Sequence, residues 1–174
     1  MIGRVIPALD PMQNRSASER TQLLAFLDAQ RAEVEEALTG LADAQARERL
    51  VPSLTSPLAI LKHLVFVEQN WFHHVLAGRS RTDVGIADDS QDSWVLTDDD
   101  TVEGLLADYR RVCLEAREIV ASYDLDEVRT HRFMGEVSLR FVLLHMIRET
   151  ARHAGHADIL REQVLAGPVV RMES

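Results

Sequence analysis

Apolar residues recur along the chain at spacings of three and four, and nowhere do they alternate with polar ones in a short run closed by turn residues. That pattern predicts helices and no sheet. The first helix covers about Ser18 to Leu38: Leu23, Leu27, Val34, Leu38 and Leu41 fall three, four or seven apart, Ser18 can cap the first turn, and Gly40 stops it. A second opens with Ser56 as its cap and Pro57 at the first helical position, then runs through "LAILKHLVFVEQNWFHHVLAG" to Gly78. It is apolar on nearly every side, so it belongs at the centre of the fold. The polar stretch from Arg79 to Trp94 is too long for a tight turn and reads as a working loop. Asp98, Asp99 and Asp100 lead into a third helix, where acids complement the helix dipole, and Val102, Leu105, Leu106, Tyr109, Cys113, Ala116 and Val120 form its apolar stripe. After a connection holding His131 and Gly135, Ser138 caps a fourth helix that ends near Gly167, with Pro168 behind it.

Four amphipathic helices make an all-α four-helix bundle, antiparallel or with a crossover; the long second connection leaves the order open. A chain of 174 residues, 46% of them hydrophobic, suits one core and one domain over residues 1–174, with residues 1–17 as an N-terminal extension. No run of about 18 uncharged apolar residues occurs, and Arg4, Pro7, Asp10 and Pro11 interrupt any signal segment at the start, so a soluble cytoplasmic protein is expected. The net charge of -9, from 28 acids against 19 bases, gives no field that would attract nucleic acid or an anionic membrane. Cys113 has no second cysteine to pair with. Lys62 is the single lysine, a usage that fits GC-rich codons.

The chemistry concentrates in "HMIRETARHAGHAD", residues 145 to 158. With His145 at zero and about 100° per residue, Glu149 falls near 40°, His153 near 80° and His156 near 20°. Val142 and Leu160 lie near 60° on the same wheel, whereas Arg140 and Asp158 point to about 220°. The ionisable stripe therefore lies on the apolar face, where each unpaired group would cost roughly 1 to 3 kcal/mol. A metal ion is the economical partner. Glu149 and His153, at i and i+4, can reach one ion from one side, and a second helix must add a third ligand.

The second helix offers His63, His73 and His74. Lys62, Gln69 and His73 fall within about 40° of each other and read as the solvent face. His63 sits beside Val67, turned inward, and His74 lies about 16 Å further along the axis, too far to share an ion with it. His63 is the choice. Two histidines and one carboxylate suit zinc or another divalent transition ion such as nickel and leave positions open for water or substrate. The spacing lacks the H-E-x-x-H of zinc proteases, the Glu-x-x-His of di-iron bundles and the glycine of a calcium loop. His145 reads as a core histidine with a backbone partner, and His156 as a spare ligand or a donor to a ligand; both are expected around the ion rather than on it.

At these residues a resemblance emerges. "KHLVFVEQNWFHHVLAG" at 62–78 and "MGEVSLRFVLLHMIRETARHAGHADILRE" at 134–162, together with "ERTQLLAFLDAQR" at 19–31, resemble the DinB/YfiT-like metalloenzyme superfamily, and most closely its actinobacterial, mycothiol-dependent transferase-like branch. The resemblance implies a four-helix bundle, often a homodimer, with a metal held by a histidine of the second helix and an E/H-x-x-x-H pair of the last. Carried over by position, these are His63, Glu149 and His153. Arg148 departs from the pattern, in which an acid precedes the glutamate, and points roughly 100° away from it. The resemblance also implies a low-molecular-weight thiol such as mycothiol as cosubstrate. The expected function is metal-dependent transfer of that thiol to an electrophilic small molecule; the alternative is a non-catalytic metal-binding or stress-related bundle.

Overall fold

The computed structural model describes residues 9–167, so the first part of the expected N-terminal extension and Pro168 lie outside the described residues. Residues 9–17 form turns, and the Leu9 amide donates to Asp28 Oδ2 at 3.2 Å. Helix α1 is Glu19–Leu38, capped by Ser18 and followed by Gly40, whose φ of 81° lies in the region open to glycine. A single turn, α2 (Asp43–Ala46), leads to α3 (Pro57–Glu68), which has the Ser56 cap and the Pro57 start that its sequence implies.

At Gln69 the helix continues but changes pitch. Residues Gln69–Leu76 are π-helical, and the Ala77 amide reaches back five residues to the Phe72 carbonyl at 3.0 Å. The wider turn shifts every later side chain around the axis. His73, expected on the solvent face, is buried at 3% exposure, because the 100° wheel no longer applies beyond Gln69.

The long connection carries one turn of helix, α4 (Arg81–Val84), and a 3-10 turn at Ser90–Trp94. Helix α5 (Val102–Ala121) is capped by Thr101 and buries the whole expected stripe from Val102 to Val120. Asp100 does more than face a dipole here: its carboxylate accepts from Lys62 Nζ at 2.7 Å and from the Thr97 amide at 2.6 Å. The α5–α6 connection, expected to be free of strand, forms a small antiparallel hairpin, β1 (Val128–His131) with β2 (Gly135–Ser138). Its four-residue strands are too short for alternation to show in the sequence. Ser138 ends β2 and caps α6 (Leu139–Ala166), its Oγ accepting from the Phe141 amide at 3.2 Å.

Side-chain ties give the helix directions. Arg140 at the start of α6 binds Glu19 at the start of α1 (2.7 Å), and Arg161 near its end donates to the Ala37 and Thr39 carbonyls (3.1 and 2.7 Å), so α1 and α6 run parallel. Lys62 meets Asp100 and His73 lies 3.5 Å from Glu115, so α3 and α5 also run parallel. His63 faces Glu149 while Trp71 faces His145, which sets α3 antiparallel to α6. The order is up-down-down-up. A parallel α3–α5 pair explains the length of segment 77–101, which must return the chain along the bundle before α5 can start.

Two apolar clusters fill the bundle. One gathers Val34, Leu38, Leu61, Leu64, Leu106, Tyr109 and Leu160, the other Leu27, Phe72, Leu76, Val120, Leu143 and Met146. Between them lies a buried polar belt. Arg31 grips Glu68 with two hydrogen bonds (2.8 and 2.6 Å), and Asp28 accepts from Arg31 (3.4 Å) and Arg117 (2.8 Å). On α6, Glu149 and His153 fall between Met146 of one cluster and Ala154 of the other, at the same level. No helix among the described residues is long and apolar enough to cross a membrane.

Candidate metal centre

Helices α3 and α6 bring His63, Glu149 and His153 together at that level. One ligand atom from each lies within 4.8 Å of the other two, and among the described residues no other group of three such side chains does this. Glu149 Oε1 is 3.0 Å from His153 Nε2 and 3.7 Å from His63 Nε2. Donors bound to one tetrahedral zinc at about 2.0–2.1 Å stand roughly 3.3 Å apart, so the two distances bracket what an ion needs. His63 and His153 are buried, at 8% and 3% exposure, and Glu149 is half-buried.

The tautomer of His63 follows from its partner. Ser93 Oγ donates its one proton to the Ser90 carbonyl (2.6 Å) and so can only accept from His63 Nδ1, 2.8 Å away. His63 therefore carries its proton on Nδ1, and the Nε2 lone pair points at Glu149. Burial pushes the His63 imidazole below its ordinary pKa, against the opposing pull of Glu149, which keeps it neutral near pH 7. A lone pair facing a carboxylate is repulsive on its own. A cation between them turns both into ligands, and the serine that orients the ring is the kind of support metal-bound histidines have.

The Glu149 carboxyl is held far below its usual range, first of all by the hydrogen bond it accepts from His153, which outweighs burial. It is thus an anion at any physiological pH. Arg152 Nη2 adds a contact to Oε1 at 3.0 Å. His153 Nδ1 is buried and has no hydrogen-bond partner among the described residues.

Neither expected neighbour bonds a ligand. His145 packs against Trp71 (ring centroids 4.5 Å apart), and its Nδ1 lies 3.4 Å from Arg148 rather than against a backbone partner. Exposed His156 meets the His153 ring edge-on at 5.6 Å. His74 donates from Nδ1 to the Arg79 carbonyl (2.7 Å), away from the cluster. Ser93 and Trp94 are the functional residues that helical periodicity could not find. Trp94 stacks on His63 at 4.1 Å and lies 5.4 Å from His153, roofing the site with the end of the long connection.

Beside this roof is a cavity of about 920 Å³ between the π-helical segment, the long connection and the hairpin, lined by Phe66, Asn70, His74, Arg81, Ser90 and His131 among others. Phe66 is also stacked on His63, ring centroids 6.4 Å apart, so the cavity wall begins one side chain from the cluster. Ser90, through the bond it accepts from Ser93, belongs to both.

A comparison with curated proteins finds none that matches. A model of the family described as Mycothiol-S-transferase matches residues 22–166, a span running from the first turn of α1 to the end of α6 and containing His63, Ser93, Glu149 and His153. With most of its length matched, the chain belongs to the mycothiol-S-transferase family, a family of thiol-dependent transferases.

Proposed function

We propose that this protein joins a mycothiol-like thiol to an electrophilic small molecule and that His63, Glu149 and His153 hold a divalent ion, zinc or nickel, for the purpose. The observation that carries this reading is the neutral, serine-oriented His63 aiming its free lone pair at a carboxylate across two helices. When bound, the ion would lower the pKa of a ligated thiol so that it is a thiolate at neutral pH. Three protein ligands leave it an open position.

The chain's own residues supply the rest. Ser93 fixes the ring of His63, Trp94 and Phe66 shield it from water on two sides, and the adjoining cavity gives a small molecule a place with both apolar walls and polar contacts. The acidic net charge and the lack of a membrane-spanning helix among the described residues support a cytoplasmic enzyme with small-molecule partners rather than nucleic acid or lipid. Exposed Phe133, Met134, Phe141 and Leu144, at the hairpin and the start of α6, support a homodimer.

The test is conjugate formation from mycothiol and a chromogenic electrophile such as 1-chloro-2,4-dinitrobenzene. Activity should vanish with a chelator, return with zinc or nickel, and be absent from His153→Ala while the helical circular dichroism is unchanged. A protein that only loses stability on chelation, and never turns over, would instead be a bundle clasped by an ion.

A further inference from the structure

Arg152 sits where a metal-dependent site has no obvious use for it. Its Nη2 lies 3.0 Å from Glu149 Oε1 and 3.4 Å from His153 Nε2, the same two atoms that an ion must bind. A guanidinium nitrogen carries only hydrogens, so it meets Glu149 Oε1 as a donor, taking an electron pair that the carboxylate would offer a metal, and it sets a positive charge beside His153 Nε2, which itself donates to Glu149. Arg148, one residue before Glu149, reaches His145 Nδ1 instead and touches no ligand. The Arg152 side chain is 58% exposed, so it can withdraw into water at little cost.

The geometry points to Arg152 as a built-in competitor cation: in the metal-free protein it occupies Glu149 Oε1 and stands beside His153 Nε2, must withdraw for the ion to bind, and so weakens and regulates ion affinity. Taking up the ion exchanges one positive charge for another on Glu149. After the exchange the displaced guanidinium still lies within one helical turn of a divalent cation, and that repulsion acts in the same direction. Both effects make the ion easier to lose than from the bare His-His-Glu set.

The inference rests on the ligand assignment above, and the experiment separates the two. Zinc affinity is measured by competition with a chromophoric chelator on metal-free, full-length wild type, Arg152→Ala, Arg148→Ala, His63→Ala and His153→Ala. Arg152→Ala should bind zinc about threefold to tenfold more tightly, the scale of one exposed charged contact plus the relieved repulsion. That gain should shrink in about 0.5 M salt but outlast any effect of Arg148→Ala, because charges without direct contact are screened most fully. Unchanged or weaker affinity in Arg152→Ala, or an equal gain in Arg148→Ala, overturns the competitor role. Wild-type affinity in both histidine variants would instead overturn the ligand set.

Discussion

Ser93 has one proton to give and gives it to Ser90, and from that single fact follows the orientation of the His63 lone pair. Ser93→Ala leaves Nδ1–H without its acceptor and lets the ring turn. Zinc affinity should then fall about 10- to 100-fold, the usual effect of removing the partner of a metal-binding histidine, with the unfolding midpoint of the metal-free protein little changed. Chelator competition beside a urea titration reads both. Glu149 and His153 were legible in the sequence because i and i+4 on a regular helix fix two side chains on one face, and His63 because it precedes the change of pitch at Gln69. Ser93 and Trp94 were not legible, since they arrive from 30 or so positions away on an irregular segment that has no periodicity to read. His73 was misplaced for a related reason: its local sequence is helical, but nothing in it announces i to i+5 bonding.

The long connection matters because it carries Ser93 and Trp94 to His63, and its far end is pinned where Lys62 meets Asp100. Burial alone would raise the Asp100 carboxyl pKa; the hydrogen bond from Lys62 and then those from Thr97 overcome it and hold the value below the ordinary one. The unfolded chain thus takes up the Asp100 proton first as pH falls. The tie contributes stability above the ordinary aspartate pKa of about 4 and loses it as pH drops below. Asp100→Asn should therefore cost most between about pH 5 and 7, and the gap from wild type, by urea unfolding, should close toward pH 3. A gap independent of pH would mean that the carboxylate charge is not what holds the connection.

The polar belt is the other element-scale tie. Glu68→Ala would leave the Arg31 guanidinium buried over the Phe72 ring with Asp28, 3.4 Å away, as its remaining carboxylate among the described residues. Breaking such a pair costs about 3–5 kcal/mol, and the remaining aspartate puts the expected loss of unfolding free energy at the lower end. The helix ends needed no structure to find, because Ser18, Ser56 with Pro57, and Ser138 cap where their residue types say they should. The hairpin was hidden by its brevity.

At the scale of the molecule, the up-down-down-up order sets α3 antiparallel to α6 and so places a histidine early in one helix against a Glu-x-x-x-His pair midway along the other. An ion bound there joins helices that are separated in sequence by the whole crossover and α5. Because it binds the folded chain, it should raise the unfolding free energy by about 2.7 kcal/mol when present at a hundred times its Kd, and thermal melts with and without zinc measure the gain. The helix order itself could not be read from the chain: a long connection shows that a crossover is available, and only the ties of Arg140 to Glu19 and Lys62 to Asp100 show which helices it makes parallel.

The most direct measurement is elemental analysis of protein purified without a metal-affinity tag, wild type beside His63→Ala and His153→Ala. Wild type should carry about one zinc or nickel per chain, and each variant well under half of that. No stoichiometric ion in wild type, even after reconstitution, would contradict the ligand set and leave His63, Glu149 and His153 as a polar cluster that holds two helices together.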